Sequence, residues 1–217
     1  MGRRDVDHAG DVRRRREEKR PPEVGPVPLV RRPPSAAARA RAQPIAQEDR
    51  RRGQRAQDDG GEAAGADGLI LCSNTTHKVA PAVEAATKIP LLHIADVTAE
   101  RLAADGVQKA GLIGTRFTMG EGFFRERIAA RSIALTLPDP ATAAEIDRII
   151  FEELARGQVS RSSQRLLKTC VTEMGKARQQ AVILGCTELV LLVDPGANVI
   201  PVYDTTALHA AAAARWI

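Results

Sequence analysis

Six short apolar runs, at residues 69–72, 90–94, 110–114, 133–135, 181–185 and 199–202, constrain this chain more than any other feature of its sequence. Each is bounded by glycine, proline or small polar residues. Most are continuous rather than alternating, as in Leu69-Ile70-Leu71-Cys72 and Ala181-Val182-Ile183-Leu184-Gly185. A strand that is apolar on both faces has to be covered on both, which is the condition of a parallel sheet between helices. The intervening stretches supply helices over 79–88, 96–105, 119–131, 142–156, 160–179 and 205–216. The one at 96–105 opens on an acidic residue and stops before Gly106. Strands alternating with helices of this length predict a parallel α/β fold.

Everything before residue 62 has a different character. Of the 32 basic and 27 acidic residues in the chain, residues 1–60 hold 16 and 10, which leaves 16 and 17 for the rest. The net charge of +5 therefore belongs to the front, and the remainder is near neutral. Residues 1–61 contain no Phe, Tyr or Trp and seven prolines, and no hydrophobic period persists. Such a stretch buries too little apolar surface to offset chain entropy, so a disordered basic segment is expected there. Arg, Ala, Pro, Gly and Asp saturating an aromatic-free stretch is also the composition that a shifted reading frame of a GC-rich gene gives. A basic tail of this kind is a nucleic-acid-binding candidate, but it lacks stacking aromatics and its acidic residues dilute its charge. No nucleic-acid partner is expected.

The cysteines are Cys72, Cys170 and Cys186, an odd and sparse set without metal-ligand spacing. That pattern fits a reducing compartment better than a disulfide framework. No apolar run reaches the roughly 18 residues a membrane span needs. The front also lacks the apolar stretch of a secretory signal, and it is too acidic for a transit peptide. A cytoplasmic protein with no membrane association is the expectation.

Three strands end in small polar residues: Cys72-Ser73-Asn74-Thr75-Thr76-His77, Gly114-Thr115-Arg116-Phe117-Thr118 and Gly185-Cys186-Thr187-Glu188. Ligands of open parallel sheets bind at the carboxyl ends of strands, where N–H groups of following helices face anions. Hydroxyls, an amide and a thiol collected there suit a small carboxylate.

These segments carry a resemblance. "NTTHK" after one strand and "GCTEL" after a later one resemble the paired motifs of the aspartate/glutamate racemase superfamily, with "LLHIADVT", "LIGTRFTM", "IIFEELARGQ" and "PVYDTTALHA" in the same order. The resemblance implies two similar α/β/α, Rossmann-like halves with parallel sheets and a cleft between them. The first half, truncated at its N-terminus, would comprise residues 62–105 plus 204–217, and the second 106–203. It implies an amino-acid racemase acting on aspartate or glutamate as a homodimer, without pyridoxal phosphate or any other cofactor. One thiol removes the α-proton, and a group on the opposite face returns one. A thiol ionises near pH ~8.5, lower beside a helix N-terminus, and is a better base at neutral pH than a hydroxyl.

On this resemblance Cys186 is the thiol, at a strand end with Thr187 as a first helical turn. Family members commonly place Cys before the Asn-Thr pair, where this chain has Ser73, whereas a branch specific for L-aspartate and L-glutamate places Thr there; "LCSNTTHKVA" resembles that branch. Ser73 is then the hydroxyl partner, which favours action on the L-enantiomer over balanced racemisation. Cys72, one residue earlier in a strand, should point to the opposite face and not substitute for it. Asn74 and Thr75 bind the substrate's amino and carboxylate groups. Thr118 and Thr187 complete the carboxylate site or serve as helix caps, and Glu152 reaches the cleft or lies on a solvated helix face. Cys170, in mid-helix, reads as core, Asp204 as a cap, and the scattered histidines show no metal spacing. Hydantoin racemases, maleate isomerases and arylmalonate decarboxylases share this cysteine architecture and stay open as alternatives. The glycine-rich loop and first strands of the family are not recognisable in the front segment, and a chain lacking them would be catalytically impaired.

Overall fold

The computed structural model describes residues 66–216, so the basic segment expected at 1–61 lies outside the described residues. Two parallel sheets organise the rest. A four-stranded sheet has the order β4-β3-β5-β6, formed by β3 (Lys109–Gly114), β4 (Ala134–Thr136), β5 (Ala181–Gly185) and β6 (Val202–Asp204). A two-stranded sheet pairs β1 (Leu69–Ile70) with β2 (Leu91–Leu92). Every strand pair is parallel. Seven helices connect them: α1 (Ala80–Ala86), α2 (Ile94–Ala104), α3 (Arg116–Gly120), α4 (Gly122–Ala129), α5 (Pro140–Arg148), α6 (Arg161–Lys176) and α7 (Thr205–Trp216).

The continuous apolar runs of β3 and β5 are explained by what covers them. Ala110, Leu112, Ala181 and Ile183 face one layer, where they meet Ile94, Leu102, Phe124 and Ile128 from α2 and α4. Ile113, Val182 and Leu184 face the other, against Ile146 of α5 and Leu167, Val171 and Met174 of α6. The two-residue period of the strands divides their side chains between two cores, and both faces are dry. On α6 the buried positions Ser163, Leu167, Cys170, Val171 and Met174 follow the spacing of one helical face.

Several elements differ from the sequence expectation, each for a local reason. The strand expected over 69–72 pairs only at Leu69–Ile70, and Ile70 is 46% exposed rather than buried. The helix expected at 119–131 begins earlier, because Thr115 caps it by accepting the Thr118 N–H (3.3 Å) and Asp147 accepts the Arg116 N–H (2.7 Å). It then breaks at Glu121, whose extended backbone separates α3 from α4. The helix expected over 142–156 starts at Pro140 behind an Asp139 cap. It continues as a wide π turn (Ile149–Glu153) and a tight turn (Leu154–Arg156), and stops at left-handed Gly157. The strand expected at 199–202 begins its pairing at Val202. Proline has no N–H to donate, so Pro201 enters only through its carbonyl, which accepts from Val182 N (2.9 Å).

Close approach at the strand ends depends on two glycines. Gly114 and Gly185 are cross-strand partners. A Cβ on Gly114 would lie 2.8 Å from the Gly185 carbonyl oxygen, and a Cβ on Gly185 would lie 2.8 Å from Thr118 Cγ2. Neither position admits a side chain without moving backbone or a buried threonine.

Phe124 is fully buried between the sheet and α2, so its truncation should leave a cavity there. Phe124→Ala is expected to cost about 3–5 kcal/mol, read as a lower urea midpoint at unchanged slope.

Candidate active site

The order β4-β3-β5-β6 puts a topological switch between β3 and β5, since the chain leaves β3 toward β4 on one side and returns to β5 on the other. A crevice is expected beyond the carboxyl ends of such a pair. A cavity of about 450 Å³ lies there, lined by Thr115 after β3 and by Cys186, Thr187 and Glu188 after β5. The volume is in the range of small-molecule sites. The loop after β1, residues 72–76, forms a further part of the lining, and Phe117, Ile150 and Phe151 supply apolar wall.

Of the residues singled out from sequence, Ser73, Asn74, Thr75, Cys186 and Thr187 line this one cavity. Thr118 and Glu152 are not among the lining residues. Thr118 is fully buried behind Thr115, whose hydroxyl it meets at 3.2 Å. Glu152 points away to Arg148 (3.4 Å), because the π turn carries Ile150 and Phe151 to the wall instead. Such wide turns recur at functional sites. Cys72 also lines the cavity: β1 has ended at Ile70, so strand alternation no longer separates residue 72 from residue 73.

Sequence reasoning did not single out Thr115, Phe117, Ile150, Phe151 and Glu188. Thr115 had a signal, a hydroxyl residue directly after a strand and ahead of a helix. Glu188 stood inside a quoted motif. Phe117, Ile150 and Phe151 also stood inside quoted motifs, but that Ile150 and Phe151 face the cavity depends on a change of helix type that the pattern does not show.

The loop after β1 is held by its own side chains. Asn74 Nδ2 donates to Thr205 Oγ1 (2.9 Å), and Thr205 donates to the Leu184 carbonyl (2.7 Å). Because the single hydroxyl proton of Thr205 is committed to that carbonyl, its oxygen accepts, and the amide must present nitrogen to it. Asn74 Oδ1 is thereby left as a buried acceptor with no partner among the described residues, on a side chain only 1% exposed. An unpaired buried acceptor costs about 1–3 kcal/mol, which a donor on a bound molecule would recover. Thr75 Oγ1 meets Thr115 Oγ1 at 3.1 Å and ties the same loop to β3.

His77 fixes the loop from behind. Its Nδ1 donates to the Ser73 carbonyl (2.8 Å), which also accepts from Thr76 Oγ1 (2.8 Å), while its Nε2 accepts from Ile94 N (3.1 Å). That pair of bonds requires the neutral ring. Burial lowers the His77 pKa to about 4 and that of His93 to about 3. The rings of His93 and His209 pack edgewise on His77, at 4.4 and 5.7 Å between centroids.

The thiol of Cys186 is 7% exposed and donates to Glu188 Oε2 (2.9 Å), which also accepts from Thr187 Oγ1 (2.5 Å). Burial, then the Glu188 carboxylate, push its pKa well above the ordinary thiol value. This corrects the expectation of a thiol acidified by a helix N-terminus. Only a three-residue tight turn (Leu189–Leu191) follows Cys186, and desolvation beside a carboxylate favours the neutral form. Next to the wall, Arg116 lies over the rings of Phe117 (4.6 Å) and Phe151 (5.6 Å), and its Nη1 pairs with Asp147 at 3.0 Å.

Among the described residues no cluster of three His, Cys, Asp or Glu has a metal-binding arrangement, and no helix is long and apolar enough to cross a membrane.

Comparison with known proteins bears on the family and the fold. Residues 18–213 match the sequence model of Asp/Glu/hydantoin racemases. A candidate Asp/Glu racemase from Yersinia pestis is 39% identical and superposes with a TM-score of 0.74 over 79% of this chain and 76% of its own. An aspartate racemase homologue from Pyrococcus horikoshii is 28% identical, with a TM-score of 0.69 over 80% and 76%. Glutamate racemase from Aquifex pyrophilus, 16% identical, shares the fold with a TM-score of 0.55 over 79% and 67%.

Acid should destabilise the folded chain through the buried histidines. The folded-state pKa of His77 lies below its ordinary 6.5, so between pH 6.5 and about 4 the unfolded chain binds protons that the folded chain does not. The thermal midpoint is expected to fall as pH drops through that window. In His77→Phe the fall should be shallower.

Proposed function

The chain belongs to the Asp/Glu/hydantoin racemase family, and from that premise we propose that it inverts the α-carbon of aspartate or glutamate without a cofactor, using side-chain groups alone. The observation that carries the reading is the juxtaposition of Cys186, Ser73 and Asn74, whose buried Oδ1 has no partner among the described residues, on one cavity sized for a single small molecule. An α-ammonium group supplies the donor that Asn74 Oδ1 lacks. Thr75 supplies a hydroxyl to the α-carboxylate, where charge accumulates once the α-proton leaves, while the proton of the Thr187 hydroxyl is committed to Glu188 Oε2. Inversion demands a proton-transfer group on each face of the planar intermediate, and the reading assigns Cys186 to one and Ser73 to the other.

The amino-acid side chain then lies against Phe117, Ile150 and Phe151. Arg116 does not line the cavity but stacks on two of those rings, paired with Asp147, and the reading assigns it the second carboxylate of the substrate across that wall. This favours a dicarboxylic amino acid over the uncharged rings of hydantoins.

A specific observation supports a second assignment of the partner group. Cys72 is an exposed thiol on the same cavity, one residue from Ser73. A thiol is the better base, so Cys72 in that role would make the two directions more nearly equal in rate.

Exchange of the α-hydrogen of L-aspartate in deuterated water tests the reading. Cys186→Ala should slow exchange by about a thousandfold, within the range of acid–base groups. Unchanged exchange would remove the proposal. With Ser73 as partner, Ser73→Ala abolishes inversion and Ser73→Cys accelerates reaction from the D-enantiomer, while Cys72→Ala leaves both rates in place. The opposite pattern assigns the role to Cys72. Arg116→Met should raise KM for aspartate at least tenfold with a smaller change in kcat.

A further inference from the structure

A base has to be deprotonated before it can take a proton, and the structure holds Cys186 in the opposite state. Its thiol is desolvated and bonded, as a donor, to a carboxylate at 2.9 Å. Two carboxylates bear on the sulfur, Glu188 from the turn that follows it and Asp147 from α5. Asp147 is occupied by the Arg116 backbone N–H (2.7 Å) and guanidinium (3.0 Å). Glu188 has no cationic partner among the described residues. Its Oε2 takes two hydrogen bonds, from the Cys186 thiol and the Thr187 hydroxyl, and its side chain opens on the cavity.

We propose that Glu188 is the proton acceptor that arms Cys186, so that the working base is a Cys186–Glu188 pair sharing one proton. The step balances within the site. The S–H bond of Cys186 breaks, its electron pair stays on sulfur, and the proton joins Glu188 Oε2. The thiolate then takes the α-hydrogen of the substrate as a proton, and the C–H pair remains on the substrate as a carbanion. The partner group on the other face supplies a proton to that carbanion. Glu188 afterwards releases its proton to water, and the partner regains one from water. In the reverse direction Glu188 first takes a proton from water and the partner gives one up. The partner then removes the α-hydrogen, the Cys186 thiol protonates the carbanion, and Glu188 returns its proton to sulfur. The Thr187 hydroxyl donates to Oε2 throughout and keeps the carboxylate turned toward sulfur. Exchange inside the pair creates no net charge in a dry cavity. Ionising the thiol alone would add a second negative charge beside Glu188.

This role rests on the racemase reading of the cavity, and two measurements separate the failure of one from the failure of the other. The first needs no substrate. Alkylation of Cys186 by iodoacetamide, followed by peptide mass mapping, is measured from about pH 6 to 8, with Cys72 in the same chain as reference. An isolated thiol below its pKa reacts about tenfold faster per pH unit. A pair sharing one proton keeps the same thiolate fraction over the range, so the Cys186 profile in the native chain is expected to be nearly flat while that of Cys72 climbs. A Cys186 profile as steep as that of Cys72 overturns the proposal.

The second measurement is turnover of Glu188→Gln with L-aspartate. Without the carboxylate the thiol ionises more readily, so a carboxylate that merely hindered Cys186 would leave a faster enzyme when removed. The proposal expects kcat to fall by about a hundredfold or more, KM to change less than threefold, and the Cys186 alkylation profile to turn steep. An unchanged or raised kcat overturns it. If the native chain exchanges no α-hydrogen of aspartate or glutamate, the racemase reading fails, and the alkylation profile still decides whether the pair exists. If Glu188→Gln does not fold, the native profile decides alone.

Discussion

The hydroxyl of Thr205 sets the geometry on which the cavity depends. It stands at the first position of α7, accepts from Asn74 in the loop after β1, and donates to the carbonyl of Leu184 near the end of β5. Two residues beyond that carbonyl is Cys186. One oxygen thus links the loop that carries Ser73 to the strand that presents the thiol, in a fully buried setting where neither bond is diluted by water. The link also fixes which end of the Asn74 amide is left over. The amide oxygen is the end left without a partner because a threonine has only one proton to give.

Around that link, two demands are met by different parts of the chain. Rigidity comes from the sheet: β3 and β5 are covered on both faces, and their last residues are glycines in contact. The candidate reacting groups sit on short irregular segments, the loop at 72–76 and the turn at 186–191, which are anchored by buried Asn74 and Leu189. The first of these is stiffened by a neutral histidine that satisfies one carbonyl and one N–H with a single ring. The second holds a thiol and a carboxylate in contact. Such a pair is unfavourable for an ionised thiol and favourable for a shared proton.

Much of this was legible in the sequence because it follows from period and punctuation. The continuous run Ala181–Gly185 reads as a strand and is one, and the polar residues after three of the runs mark the carboxyl ends where the cavity lies. Ser73, Asn74, Thr75, Cys186 and Thr187 stand in those segments, and the resemblance of the motifs around them singles them out. Other features depend on tertiary context. The π turn at Ile149–Glu153 carries Ile150 and Phe151 to the cavity, whereas Glu152, which the sequence leaves open between the cleft and a solvated helix face, pairs with Arg148. The start of α3 at Arg116 depends on Asp147, thirty-one positions away. The state of the Cys186 thiol depends on desolvation, to which a motif is blind. Cys72 was set aside by a rule for strands at a place where the strand had already stopped.

The contact between Gly114 and Gly185 also bears on how this cavity can diversify. The strand ends that carry its lining residues Thr115 and Cys186 are closed to substitution, since even a methyl group at either glycine would strike backbone or Thr118. Adaptation to a larger or differently shaped substrate is therefore confined to the walls, above all to Phe117, Ile150 and Phe151. Phe151, 44% exposed, can be exchanged while the strands beneath stay as they are, whereas Ile150 is packed into the core with Ile113, Val182 and Leu184.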